Sequence, residues 1–175
     1  MLARCLLSTE SAEEVRIFYS YSREDSGFRS LIDDMLGRFK WDVDVRTWYD
    51  SYIPAGNEWE KEIFRNIDAA DIILLFVTKH FVSSSYCQGV EVPRALARHE
   101  RGEATVIPVL IEHTDQLNPM LKKLQFLPRN GRPINAWGDR DEAIHSVVQG
   151  IVDVIVSARL NPAGRCRWQV RLGSD

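Results

Sequence analysis

Glycine-rich phosphate cradles are missing from this chain. No GxGxxG follows its first strand-like segment, and no GxxxxGK[ST] occurs anywhere. That argues against a Rossmann dehydrogenase and a P-loop nucleotidase, which need backbone amides wrapped around phosphate. No GxSxG elbow occurs either, so a hydrolase Ser-His-Asp triad has no support. Cysteine is scarce. Cys5, Cys87 and Cys166 are odd in number and far apart. They make neither a metal-spaced pair nor a disulfide framework, and a reducing, cytoplasmic compartment is expected. His80, His99, His113 and His145 show no ligand spacing, so no metal is expected. Charge of one sign is also lacking: a net charge of −3 gives no electrostatic case for nucleic acid. Long apolar runs are missing too. Met1 to Leu7 is too short for a signal-peptide core or a membrane span, so no membrane association is expected.

What is present is the make-up of one soluble domain. The 175 residues are enough for a full core, and 45% apolar with 27% charged residues fits a folded globule. Residues 1–14 read as an N-terminal tail, 15–157 as the domain, and 158–175, with their arginines, as a C-terminal tail.

Val15 to Ser20 is β-branched and aromatic and predicts a first strand. Phe28, Leu31, Ile32, Met35, Leu36 and Phe39 recur at helical spacing after a possible cap at Asp25 or Ser26. Val43 to Trp48 alternates as an edge strand would. Pro54 and Gly56 break the following loop, and Asn57 with Glu60 predicts a capped helix carrying Trp59, Ile63 and Ile67 on one face. Asp71 to Val77 is a nearly continuous apolar run, as a buried parallel strand requires. Ser83 to Ser85 marks a loop. The next helix is expected over about Val90 to Glu100, with Pro93 in its first turn. Ala104 to Ile111 reads as a strand despite Pro108. Pro133 to Trp137 is expected to form a short last strand. Asp139 caps a final helix with Ile144, Val147, Val148, Ile151 and Ile155 buried.

About five alternations of strand and helix predict an α/β fold. The expectation is a flavodoxin-like open five-stranded parallel sheet, order 2-1-3-4-5, with helices on both faces. Such sheets bind ligands beyond the carboxyl ends of their strands, where the order reverses. That point lies between strands one and three. It gathers the segments Ser20–Asp25, Tyr49–Gly56 and Thr78–Glu91.

Several ordered motifs in these segments resemble one family. Phe18–Ser22 (FYSYS) is similar to the first-strand motif of TIR (Toll/interleukin-1 receptor) domains. Trp48–Asp50, Ile53–Gly56 and Trp59 resemble that family's loop after strand two, the BB loop. Ser84–Cys87 followed by Glu91 resembles the segment with its catalytic glutamate. Arg98–Glu103, Val106–Val109, Lys123–Pro128 and Asp139–Ala143 are similar to the bacterial branch in particular. The resemblance spans roughly residues 15–155.

The resemblance implies an NADase. Such members cleave the nicotinamide–ribose bond of NAD⁺, their substrate rather than a cofactor, and release ADP-ribose or a cyclic isomer in defence signalling. It also implies homotypic TIR–TIR contacts, and the alternative function is a non-catalytic scaffold built on them. A flavodoxin- or receiver-like binding domain is a third reading, but a receiver needs a phosphoacceptor Asp where Thr78 stands.

Glu91 is the candidate catalytic carboxylate, a fixed anion for the oxocarbenium ion that develops at the ribose. Placed at a helix N-terminus, it is expected to stay ionised; the alternative is that it only favours the helix start. Tyr19, Trp48, Trp59 and Tyr86 are candidates for stacking on nicotinamide, or core residues. Tyr86 stands where many family members carry Trp, and five residues before Glu91 where the eukaryotic pattern has four. Ser20 ends the first strand and is a substrate-binding candidate, and Ser22 and Arg23 follow it. Ser22 and Arg23 are candidates for phosphate or ribose, with a solvated loop arginine the alternative for Arg23. Asp50 either holds a ribose hydroxyl or organises the BB loop, in which Ile53 and Gly56 lie. Gly56 is expected to serve loop shape. Cys87 lacks a histidine partner and reads as a small buried residue.

Overall fold

The computed structural model describes residues 14–39, 44–53 and 56–160. The N-terminal tail up to residue 13, Val43 and the chain from residue 161 lie outside the described residues. Four parallel strands, β1 (Glu14–Ser20), β2 (Asp44–Trp48), β3 (Ile72–Val77) and β4 (Thr105–Leu110), form one sheet in the order β2-β1-β3-β4. Helices α1 (Ser26–Leu36), α2 (Trp59–Ala69), α3 (Lys79–Ser83), α4 (Val92–Glu100) and α5 (Arg140–Leu160) surround it.

The period-two alternation of the strands sorts their side chains into two cores. Ile17, Tyr19, Leu74, Phe76, Ile107 and Val109 pack with Ile32 and Leu36 of α1 and with Ile144, Val147, Val148, Ile151 and Ile155 of α5. Phe18, Ile73, Leu75 and Val106 pack with Ile63 and Ile67 of α2 and with Val92, Ala95 and Leu96 of α4. All six residues of β3 are buried, as its unbroken apolar run requires. β2 pairs with β1 alone and leaves Asp44 and Arg46 exposed, so it is the edge.

Three expectations need correction. Among the described residues there is no fifth strand: residues 134–136 form a single 3-10 turn. The chain meets β4 in one parallel bridge at Leu127, whose N–H donates to Pro108 O at 2.9 Å and whose O accepts from Leu110 N at 2.7 Å. Prolines at 119, 128 and 133 deprive this segment of the donors a ladder needs. The same geometry explains Pro108 inside β4. Its carbonyl points at Leu127, away from β3, so its missing N–H faces the side where no ladder continues. The second correction concerns α2, which starts at Trp59 with Glu58 as its N-cap rather than Asn57. Glu60 and Glu62 favour that start through the helix dipole. The third concerns the start of the helix around Glu91, described with the site. Asp139 does cap α5, its Oδ1 accepting from Asp141 N at 2.8 Å and Glu142 N at 3.2 Å.

Candidate active site

Ser20 leaves β1 on the α2/α4 face, because it alternates with Tyr19. Its Oγ donates to Glu91 Oε2. Both side chains are buried, Ser20 at 1% and Glu91 at 7% exposure. Glu91 therefore sits at the floor of a cavity of about 420 Å³ beyond the carboxyl ends of β1 and β3. Tyr21, Arg23, Asp50, Trp59, His80 and Tyr86 are among the residues around it. A second cavity of about 570 Å³ adjoins it and shares Tyr21, Arg23, Asp50 and Trp59.

Glu91 directly precedes α4, with Pro93 in the first turn as expected, but it does not begin the helical backbone. Helical backbone already runs from residue 85, and Cys87–Glu91 is a π turn that continues into α4. Val92 N–H reaches back five residues to Cys87 O. The wide turn also accommodates Pro93, whose ring would clash with the Gly89 carbonyl in a regular α-helix.

This placement overturns the expectation of a securely ionised carboxylate. No helix N-terminus solvates Glu91. Burial raises its pKa to about 7; the Ser20 hydrogen bond opposes that shift and the charge of Asp50 adds to it. At neutral pH Glu91 is poised between its two protonation states.

Asp50 opens a 3-10 turn after β2. Tyr21 Oη donates to its Oδ1 at 2.9 Å, and Arg23 Nε lies 3.7 Å from its Oδ2. Arg23 is the solvated side chain of the pair, 80% exposed. Burial, followed by the bond to Asp50, raises the Tyr21 hydroxyl to about 12. Ser22 lines the cavity and donates from Oγ to Glu24.

The aromatic candidates divide. Trp59 opens α2, is 38% exposed and meets Tyr86 at a ring distance of 4.5 Å, tilted 48°, on the cavity wall. Burial, then the Glu91 and Glu60 charges, raise the Tyr86 hydroxyl to about 12. Trp48 instead stacks on Phe18 at 5.2 Å and 17°, in the α2/α4 core. Tyr19 borders the cavity, but its ring is buried on the opposite face of the sheet, with Oη donating to Asp33 at 3.1 Å. Ile53 and Gly56 line the second cavity, and Gly56 has φ +92°, a backbone that favours glycine. Cys87 is buried, its thiol pushed up to about 11 by burial first and by Glu91 next, so it remains protonated.

Tyr21 and His80 were not singled out for the site from sequence. The signal for Tyr21 lies inside the FYSYS segment, between the candidates Ser20 and Ser22. Asp25, a possible cap of α1, makes no side-chain capping bond and is turned inward, accepting from Thr78 Oγ1 at 2.6 Å. Burial raises its pKa. Among the described residues, no His, Cys, Asp and Glu cluster could hold a metal, and no helix is long and apolar enough to cross a membrane.

Comparison with known proteins agrees with this architecture. The TIR domain family profile matches residues 17–147. Over 135 residues the chain is 38% identical to the uncharacterized protein y4lF of Sinorhizobium fredii, a match covering 77% of this chain and 42% of that relative. The chain thus spans under half the length of this bacterial relative. Two solved structures share the fold. One is the TIR domains of the activated Roq1 resistosome that recognises the pathogen effector XopQ. It superposes with a TM-score of 0.56 at 16% identity, over 78% of this chain and 99% of that one. The other is a TIR-STING receptor from C. gigas in complex with 2',3'-cGAMP, with a TM-score of 0.52 at 18% identity, over 75% of this chain and 39% of that one. The chain belongs to the TIR domain family.

Proposed function

We infer that this protein is an NAD⁺ nucleosidase that cleaves the bond between nicotinamide and ribose, in immune or defence signalling. The observation that carries this reading is the buried Glu91 carboxylate on the floor of a cavity walled by Trp59 and Tyr86.

The chemistry needs little more than these parts. As the C–N bond breaks, its electron pair leaves with nicotinamide, which departs neutral, and positive charge develops at the ribose carbon. An ionised Glu91 stabilises that charge where water is excluded. Water then adds to the carbon and gives up a proton, so that NAD⁺ and water yield nicotinamide, ADP-ribose and H⁺. If an adenine nitrogen adds instead of water, the product is cyclic. The aromatic wall orients the flat nicotinamide ring. Asp50, with Glu91, makes the pocket attractive to the cationic ring of the substrate. Arg23 and His80 at the same cavity are the groups suited to the diphosphate.

Homotypic association is the second reading, as an alternative to catalysis or as its trigger. The Roq1 TIR domains were solved within a resistosome. The second cavity, which Ile53 and Gly56 line, is the place where a loop of a neighbouring copy would reach the site.

The test is NAD⁺ consumption by concentrated wild-type, Glu91→Ala and Glu91→Gln protein, with products resolved by chromatography and mass spectrometry. The expected result is turnover in the wild type and its loss in both folded variants. Self-association without any turnover would transfer the function to the scaffold reading.

A further inference from the structure

β1 ends at Ser20, and Tyr21 follows directly; their two hydroxyls part company. Ser20 turns toward α4 and donates to Glu91. Tyr21 turns toward the loop after β2 and donates to Asp50 Oδ1 at 2.9 Å. One strand end therefore grips two carboxylates that come from separate parts of the sequence.

The Tyr21 grip is itself well braced. Its ring lies 6.3 Å from that of Phe76 and 6.5 Å from that of Tyr49. The Arg29 guanidinium sits 3.8 Å over the Tyr49 ring and 6.0 Å from the Tyr21 centroid. Arg29 also lies 3.9 Å from Asp33, which ties the group back to α1. The Tyr21 hydroxyl, raised to about 12, stays a donor throughout the physiological range. Asp50 stands at the boundary of the two cavities, on a turn followed by loop, where a tether decides its position.

We propose that Tyr21 is a positioning residue of this site, its hydroxyl locking the Asp50 carboxylate at the cavity boundary as the second fixed charge beside Glu91. Its consequence for turnover rests on the NAD⁺-cleavage reading; its geometry does not. Held there, Asp50 attracts the cationic nicotinamide end of the substrate and opposes ionisation of Glu91. The groups that face Glu91 are Ser20 from β1, Asp50 from the loop after β2, and Tyr86 and Cys87 from its own helix. Those that face Asp50 are Tyr21, Arg23, Glu91 and Cys87, with Ser51 and Arg29 at the phenol.

The test uses the full chain with Tyr21→Phe, Asp50→Asn and both together. Tyr21→Phe removes one oxygen and keeps the ring. The Glu91 carboxyl titration is followed by ¹³C NMR, and NAD⁺ turnover is followed against pH. Both single variants are expected to move the Glu91 midpoint to lower pH. Tyr21→Phe should raise KM about threefold to tenfold, the effect of one lost hydrogen bond, with kcat at alkaline pH nearly unchanged. The double variant should be no worse than Asp50→Asn alone. A Tyr21→Phe protein with the wild-type midpoint overturns the proposal, as does a double variant whose effects multiply in full. If the wild type turns over no NAD⁺, the cleavage reading falls and the NMR arm alone decides the role of Tyr21.

Discussion

Tyr86 and Glu91 are five residues apart and line the same cavity, because the π turn Cys87–Glu91 lies between them. In an α-helix, side chains four apart share a face, and a fifth position is rotated away. The extra residue relative to the four-residue eukaryotic spacing is taken up as a widened turn, and the same widening makes room for Pro93. Gly89 is the exposed residue of this turn, with open space around it. Deleting Gly89 should close the turn into regular α-helix and keep Tyr86 and Glu91 on one face. Pro93 would then sit in an unbroken helix, at a cost of about 3 kcal/mol. The deletion alone should lower the thermal midpoint, and adding Pro93→Ala should restore both the midpoint and NAD⁺ turnover. A well-folded double variant without turnover would contradict this account of the spacing.

The raised pKa of Glu91 fixes the direction of the pH profile. On the proposed cleavage of NAD⁺, only the ionised carboxylate stabilises positive charge at the ribose, and it forms as pH rises through about 7. kcat/KM should therefore climb from pH 6 to pH 8 with an apparent pKa near that value. Ser20→Ala removes a hydrogen bond that favours the ionised form. It should move the rising limb to higher pH, measured by initial rates in buffers of constant ionic strength. A limb that stays in place would deny Ser20 this influence.

The same shift acts on folding with the opposite preference. The ordinary value of Glu91 is 4.5 and its folded value about 7, so between these the folded chain holds a proton that the unfolded chain has released. Stability falls as pH rises through that window. Glu91→Gln cannot ionise, and it escapes the penalty. Its stability relative to wild type should be higher at pH 8 than at pH 5, by up to about 3 kcal/mol. Urea unfolding at the two pH values reads this directly. An equal difference at both would mean that Glu91 ionises as readily in the folded chain as in the unfolded one.

The elements legible in the sequence were those with strong periodicity. The unbroken apolar run of β3, the helical stripe of α5 and the alternation of β2 each carry their burial in their pattern. The strand order followed from these, and with it the location of the cavity. What escaped depends on long-range contact. A π turn leaves no periodic signature over five residues. Tyr19 and Tyr21 look alike in FYSYS, yet the ring of Tyr19 is buried in the α1/α5 core with its hydroxyl on Asp33, while the Tyr21 hydroxyl is on Asp50. The expected fifth strand is not among the described elements because residues 134–136 close a 3-10 turn, and the bridge to β4 falls earlier, at Leu127.

Arg98 shows how a segment that resembles a family motif can owe its place to folding. It is buried at 7% exposure, and its Nη1 donates to Ile67 O and, at 2.8 Å, to Ala70 O. Those carbonyls lie at the end of α2, where Ile67 O otherwise accepts only from the Ala70 N–H, at 3.3 Å. Nη2 donates to Glu103 O at 3.2 Å, and Nε lies 3.5 Å from the Glu103 carboxylate. One planar guanidinium thus ties α2, α4 and the approach to β4 together. Arg98→Met keeps the length of the stem and removes every donor. It should cost about 2–4 kcal/mol, because the buried Ala70 carbonyl loses its guanidinium donor along with the bonds to Ile67 O and Glu103 O. Arg98→Lys should recover only part of this, since an ammonium cannot span the same fork. Urea midpoints with an unchanged slope would measure the loss. Turnover per folded molecule should stay near wild type, because Arg98 does not line the cavity. A fall in activity without a fall in stability would instead assign Arg98 to the site.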